Sequence, residues 1–301
     1  AHGMFAQDVG EAELTITAGS PDGVQRLLAD SLTIGDAVGF EQPCFLTTIQ
    51  TAQAAGYRPI PMPVDAQGLT VEGLQIALNE GIRALVVTPR AHNPTGAVIS
   101  AARAQDLSAL LADHPHVLII EDDHFWQVSN HSYRSIIPAN HPRWALVRSV
   151  SKSLGPDLRV GLVGSDKLTA SRLGSHIRSG AMWVSHLLQR LTYLLITHPD
   201  TPAQLAEAAQ EYARANAQLI DALAASKISA TSADGVNVWI NLRHRAAPVV
   251  DALAARGWLV RDGAEFSLDN TDDAVNHIRV TIHQLTPAQR EEFVADLVAV
   301  L

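Results

Sequence analysis

Cysteine is all but missing: Cys44 is the only one, so no disulfide can close within the chain, and a reducing, cytoplasmic setting is expected. Basic residues are in deficit, Lys+Arg 22 against Asp+Glu 31, for a formal net charge of −9. That balance argues against nucleic-acid binding by these residues, because counterion release needs clustered cations. No apolar run comes near the roughly 18 residues of a membrane span. The N-terminus shows no basic-then-apolar leader pattern, and repeats, low-complexity tracts and charge blocks are lacking too. Membrane and secreted classes drop out. What is present is apolar: 47% hydrophobic residues over 301 positions, enough for a substantial core. At about 150 residues per domain, that allows one large domain or two modest ones.

The apolar residues fall in short runs, at Leu14–Thr17, Ala37–Phe40, Arg58–Pro61, Ala84–Thr88, Val117–Ile120, Trp144–Val150 and Val160–Gly164. Helical patterns separate several of them, at Gly23–Leu32, Phe45–Ala55, Val71–Leu78 and Ala101–Ala112. Continuously apolar strands alternating with helices predict a largely parallel sheet covered on both faces. Past about residue 180 the texture changes. An Ala/Leu-rich helical region spans Ser185 to Ala225, broken at Pro199 and Pro202. Strands at Val236–Asn241, Trp258–Arg261 and Ile278–Ile282 follow, with helices at Val249–Ala255 and Pro287–Val300. The division expected is a tail or remnant over 1–14, which has no clear amphipathic period, a large domain over 15–198 and a smaller α+β domain over 199–301.

Ligands of open α/β sheets bind beyond the carboxyl ends of the strands, so the residues just past each run carry the chemistry. Past the first run, Ser20 suits an N-cap and Pro21 the first helical position. Such a helix start is either an ordinary cap or a phosphate site. Past the fourth, Asn93-Pro94-Thr95-Gly96 makes a turn that fixes a neutral donor, Asn93, at a strand end. Past the fifth come Glu121, Asp122, Asp123 and His124. Consecutive acids there imply a cation or solvent. His92, His114, His116 and His131 are conceivable further ligands, but no zinc spacing is present and no metal is assigned. Past the sixth lies Ser149-Val150-Ser151-Lys152, with Arg159 seven residues beyond a lysine that is one of only three, with Lys167 and Lys227. Ser149 to Lys152 also spells the S-x-x-K of Ser-Lys acylases, but their S-D-N and K-T-G elements are missing.

One cofactor accounts for these features together. Pyridoxal phosphate needs an amine, an anion against its ring nitrogen, a phosphate cup and a flat partner. Lys152 supplies the amine and Asp122 the anion. Arg159, Ser149 and the Ser20 helix start suit the phosphate, with Ser151 beside them. Asn93 suits the phenolic oxygen, and Phe45 the ring face.

The stretches T-P-R-A-H-N-P-T-G (88–96), E-D-D (121–123) and S-V-S-K-S-L-G-P-D-L-R-V-G (149–161) resemble the fold-type-I, aspartate-aminotransferase-like pyridoxal phosphate proteins. The resemblance runs from about Thr15 to the end. Within that group, A-G-S-P-D-G-V-Q-R-L-L (18–28), D-D-H-F (122–125), W-V-S-H-L-L-Q (183–189) and W-L-V-R-D-G (258–263) are similar to the aminotransferase-like domain of MocR-type, GntR-family bacterial transcription regulators, the vitamin-B6-responsive ones above all. The resemblance implies a mostly parallel seven-stranded sheet, a homodimer with its sites at the subunit interface, and cofactor held as an aldimine on Lys152. It places a substrate carboxylate on Arg279, which would otherwise read as an ordinary strand residue. It also implies that DNA is reached only through an N-terminal winged helix-turn-helix upstream, absent here, with pyridoxal phosphate or an amino acid as effector.

The departures carry weight as well. Many relatives have a tyrosine two or three residues after the ring-nitrogen aspartate, donating to the phenolic oxygen; here those positions are His124 and Phe125. Pro21 takes a donor from the phosphate cup, and Asp22 puts a negative charge beside it or simply favours the helix dipole. The expectation is a cofactor-binding effector domain of a regulator in which transamination is weak or absent. A working aminotransferase on an amino acid/keto acid pair is the alternative.

Overall fold

The computed structural model describes residues 3–180, 182–268 and 273–301. Each of the seven apolar runs forms a strand of one large sheet: β1 (Glu13–Thr17), β2 (Ala37–Gln42), β3 (Arg58–Asp65), then β5 (Ala84–Val87), β6 (Leu118–Asp122), β7 (Trp144–Ser149) and β8 (Gly161–Ser165). The sheet has eight strands where seven were expected, because a two-residue β4 (Gly68–Leu69) folds back on the end of β3. Its order is β1-β8-β7-β6-β5-β2-β3-β4. Neighbours from β7 through β3 are parallel, while β1, β8 and β4 run against theirs.

Alternation along the strands decides the two faces. Leu85, Val87, Ile119 and Leu146 enter one hydrophobic cluster; Val86, Leu118, Ile120 and Val147 enter the other. Helices α2 (Ser20–Ser31), α3 (Leu46–Ala54) and α6 (Lys167–Ser179) cover the second face, and α4 (Val71–Asn79) and α5 (Ala101–Ala112) the first. Within 1–14, expected as a tail or remnant, lie α1 (Gly3–Val9) and the start of β1. Tertiary contacts hold α1 where amphipathicity does not: Phe5 is 2% exposed in the first cluster, and Asp8 pairs with Arg148 at 2.6 Å.

After α7 (His186–Ile196) and the long α8 (Thr201–Ala225), a four-stranded antiparallel sheet forms, β11 (Arg261–Asp262)-β12 (His277–Thr281)-β10 (Asn237–Asn241)-β9 (Ser229–Thr231). With α8, α9 (Ala247–Ala254) and α10 (Pro287–Val300) it encloses a third cluster. The strand expected at Trp258 begins only at Arg261. Trp258 is drawn away to α10, its indole N–H donating to Asp296 at 2.8 Å and its ring meeting Phe293 edge to face. The small sheet docks through Gly96, whose carbonyl accepts from Ala233 and Asp234 N–H. At φ +70°, with Ser232 Cα 2.9 Å from where a Cβ would stand, Gly96 tolerates no side chain.

Candidate functional site

The three consecutive acids at the end of β6 do not converge on a cation. Strand alternation sends them apart. Glu121, fully buried, accepts from Tyr133 and Ser135 hydroxyls and from Ile136 N–H at 2.7 Å. Asp123, also buried, takes Arg90 Nε and Nη2 at 2.7 and 2.9 Å and Arg148 Nε at 3.1 Å. Asp122, on the opposite face, accepts from Ser20 Oγ. Burial raises the Asp122 pKa, and Asp123 adds to the rise, while His124 and the Ser20 hydroxyl oppose it. Among the described residues no cluster of His, Cys, Asp and Glu is arranged to hold a metal.

The start of α2 differs from the cap expected. Gly19 is the N-cap, at φ +95°, and Ser20 is the first helical residue, 3% exposed, with its hydroxyl directed to Asp122. Asp22 is held by Ala18 N–H at 2.9 Å and Arg26 at 2.7 Å, so its charge closes the turn and pairs within the helix. Arg159, itself at φ +46°, lies across this helix start, donating to Ala18 O at 3.2 Å. A Cβ on Gly19 would stand 3.0 Å from Arg159 Nη2. Glycine is what lets the guanidinium reach the helix N-terminus, a place that favours anions.

Beyond β7 the chain turns at once. Ser149 Oγ accepts from Ser151 N–H at 3.2 Å, and the Ser151 hydroxyl is buried with no partner. Lys152 follows, exposed at the mouth, with its pKa lowered by surrounding protein first and then by the Arg279 charge. Arg279, on β12, donates through Nη1 to Asn93 Oδ1 at 3.1 Å and lies 5.1 Å over the Phe266 ring. Its buried Nε has no partner. Asn93 also takes Asn237 Nδ2 at 3.5 Å. Hence Lys152, Asn93 and Arg279, far apart in sequence, form one group. Phe45 is the N-cap of α3, its ring 44% exposed, and Cys44 N–H ties that turn to Phe266 O at 2.9 Å. His124 is half-buried on the site side, while Phe125, 3% exposed, packs with Ala91 and Val128.

Sequence reasoning missed several groups. Arg148, 2% exposed in the middle of β7, sits among Asp8, Asp123 and the rings of Phe5, Trp126 and Tyr133; an arginine inside a continuously apolar run was its signal. His283, just past β12, feels the Lys152 charge and meets Tyr212 of α8 edge to face. Burial raises Glu41 to about 8 and Glu121 to about 7, and lowers His92 to about 3. The two carboxyls hold protons that the unfolded chain has released, so each withdraws stability as pH rises from the usual carboxylate range to about 8 and about 7. His92 adds stability as pH rises from about 3 to its ordinary 6.5, and nothing above that. The cofactor-free protein is therefore expected to melt lower at pH 8 than at pH 6.5, by about 1.4 kcal/mol of stability per unit for each net proton. A melting series over that range checks it; a flat or rising midpoint contradicts it.

The sequence profile of the class I and II aminotransferases matches residues 5–297. The vitamin B6 salvage pathway transcriptional repressor PtsJ of Salmonella typhimurium is 41% identical over 286 residues, 95% of this chain and 66% of that protein. An uncharacterized HTH-type transcriptional regulator of Bacillus subtilis, YdfD, is 28% identical over 55% of this chain and 35% of its own length. The chain thus spans under two thirds of each of these relatives. Among solved structures, the kynurenine aminotransferase of Pyrococcus horikoshii superposes with a TM-score of 0.90 at 18% identity, covering 99% of this chain and 78% of that one. LysN, the α-aminoadipate aminotransferase of Thermus thermophilus, gives 0.88 at 21%, covering 100% and 80%. Those two share the fold. With a profile match over nearly its whole length and a site assembled at the carboxyl ends of a fold-type-I sheet, this chain belongs to the class I and II aminotransferase family.

Proposed function

We propose that the chain is the effector-sensing domain of a cytoplasmic transcription regulator, one that binds pyridoxal phosphate on Lys152 and acts as a homodimer. Pyridoxal phosphate is the cofactor that membership of the family implies. The residues present fit it. The buried, partnerless Ser151 hydroxyl and the Arg159 guanidinium at the α2 N-terminus suit its phosphate, with Ser20 and Ser149 beside them. Asp122 suits the ring nitrogen, Asn93 Nδ2 and His124 the phenolic oxygen, Phe45 the ring face, and the partnerless Nε of Arg279 an amino-acid carboxylate. When bound, the group supplies an aldehyde for an amine and an electron-withdrawing ring. Lys152 brings that amine with its pKa lowered by burial and then by the Arg279 charge.

The observation that carries the regulator reading is a complete holding set beside an altered ring-oxygen position. Phe125 is turned into the core and has no hydroxyl, which leaves His124 and Asn93 there. Identity to the Salmonella repressor supports the same reading. Coupling to a DNA-binding part would then run through a change of site occupancy or domain closure. The test is the full reading frame, assayed for transamination and for DNA affinity with and without pyridoxal phosphate. Adduct formation without steady turnover, and DNA affinity that follows the cofactor, is the expected result. A kcat on the order of 1–10³ s⁻¹ with any common amino acid overturns it in favour of the aminotransferase, whose carboxylate and lysine groups are all in place.

We assign the homodimer contact to α7. Leu187, Leu191 and Leu194, 82%, 45% and 48% exposed, line one helical face, and Trp183 and Met182 extend the apolar patch. Leu187→Glu with Leu191→Glu is expected to convert a dimer to a monomer in sedimentation runs. A dimer that survives both changes moves the interface elsewhere.

A further inference from the structure

Two ionisable side chains beneath the site have no part in holding the cofactor. Glu41, at the end of β2, is 3% exposed, and His92, in the loop after β5, is 1% exposed. Glu41 Oε2 and His92 Nε2 are 3.4 Å apart. Each is anchored from its far side. Thr88 N–H donates to Glu41 Oε2 at 2.9 Å, and His92 Nδ1 meets the Thr95 hydroxyl at 2.8 Å. Thr88 and Thr95 bracket the loop that carries Asn93, so the pair grips that loop at both ends. Yet Glu41 Oε1 and His92 Nε2 have no hydrogen-bond partner, although neither touches solvent.

The surroundings say what the pair does. His92 feels the charge of His124, and His124 in turn acts on Asp122. Glu41 feels Asp122, and Cys44 feels Glu41. These groups therefore form a closed set: Asp122 at the ring-nitrogen position, His124 at the ring-oxygen position, and His92 with Glu41 beneath. Cys44, 8% exposed, has its thiol pushed well up by burial and by Glu41, so it stays neutral. We propose that Glu41 and His92 are positioning residues that set the charge state of Asp122, and through it the electronic state of the cofactor ring.

At neutral pH both members are uncharged, because burial holds the Glu41 proton on up to about 8 and keeps a proton off His92 down to about 3. When Glu41 ionises, a second negative charge arises in the same buried set. Its field strengthens proton binding at Asp122, and through Asp122 at the cofactor ring. The proton that Glu41 releases passes to solvent, and no bond of the cofactor is made or broken.

The inference rests on the cofactor site proposed above, and its test separates the two. The chain is loaded with pyridoxal phosphate, and its visible absorbance is followed from pH 6 to 10 in wild type, Glu41→Gln and His92→Gln, with melting temperatures alongside. Wild type is expected to show an alkaline inflection near Glu41's own pKa. Glu41→Gln, which keeps the bond from Thr88 but has no proton to lose, removes the inflection. His92→Gln displaces it by about one pH unit, a tenfold change in the proton equilibrium. If Glu41→Gln does not fold, His92→Gln decides by the same displacement. Identical absorbance profiles in wild type and the folded variants overturn the inference, whatever their melting points. A wild-type chain that forms no adduct at Lys152 overturns the cofactor assignment and this inference with it.

Discussion

Lys152→Ala is expected to abolish borohydride-stable attachment of pyridoxal phosphate completely while leaving the melting temperature nearly unchanged. The chain has three lysines. Lys167 opens α6 on the surface, and Lys227 occupies an exposed turn after α8 at φ +62°. Lys152 follows β7 directly, beside the partnerless Ser151 hydroxyl and within reach of the Arg279 charge. Burial, and then that charge, lower its pKa, which enlarges the neutral fraction able to attack an aldehyde. Because the side chain is exposed and makes no ion pair among those described, its loss belongs with surface substitutions of within about 0.5 kcal/mol. Peptide mapping after reduction supplies the check. A pyridoxyl group on Lys167 or Lys227, or an undiminished adduct in Lys152→Ala, removes Lys152 from its role.

The large sheet was readable because buried parallel strands are continuously apolar, and seven such runs stand out between helical patterns. Strand-end position then brought forward Asn93, Asp122, Lys152 and their neighbours without any knowledge of contacts. Where the reading stopped, tertiary contacts decide the outcome. A helix at Gly3–Val9 has no amphipathic signature of its own; it exists through Phe5 and Asp8, whose partners lie in distant segments. Ser20 has the composition of a cap, but Asp122, about a hundred residues on, captures its hydroxyl. Three adjacent acids look alike as letters. Only alternation across β6, combined with arginines from elsewhere, gives them three separate destinations. Trp258 reads as strand by propensity and is withdrawn by a single carboxylate on α10.

The acids yield the second large effect, a division of roles between neighbours. Asp123→Ala is expected to lower stability by about 3–5 kcal/mol, because removing one partner from a buried ion pair leaves charge uncompensated. Two guanidiniums depend on it. Arg90, 7% exposed, keeps only carbonyl acceptors at His131 and Trp126. Arg148, 2% exposed, keeps Asp8 on α1, which is partly open to water. For a chain of this size, such a loss corresponds to a fall in melting temperature on the order of 10 °C. Asp122→Ala should behave in the opposite way. Its carboxylate is buried at a cost that raises its pKa, and its one side-chain hydrogen bond comes from Ser20. Removing it relieves that cost, so the melting temperature holds or rises, while the ring nitrogen loses its anion and cofactor affinity falls at least tenfold, the equivalent of about 1.4 kcal/mol for a charge-assisted hydrogen bond. Thermal melts and cofactor titrations of both variants give four numbers. Equal stability losses, or a loss of cofactor affinity confined to Asp123→Ala, would exchange the two assignments; stability loss at Asp123 with affinity loss at Asp122 means that one strand end serves the fold on one face and the cofactor on the other.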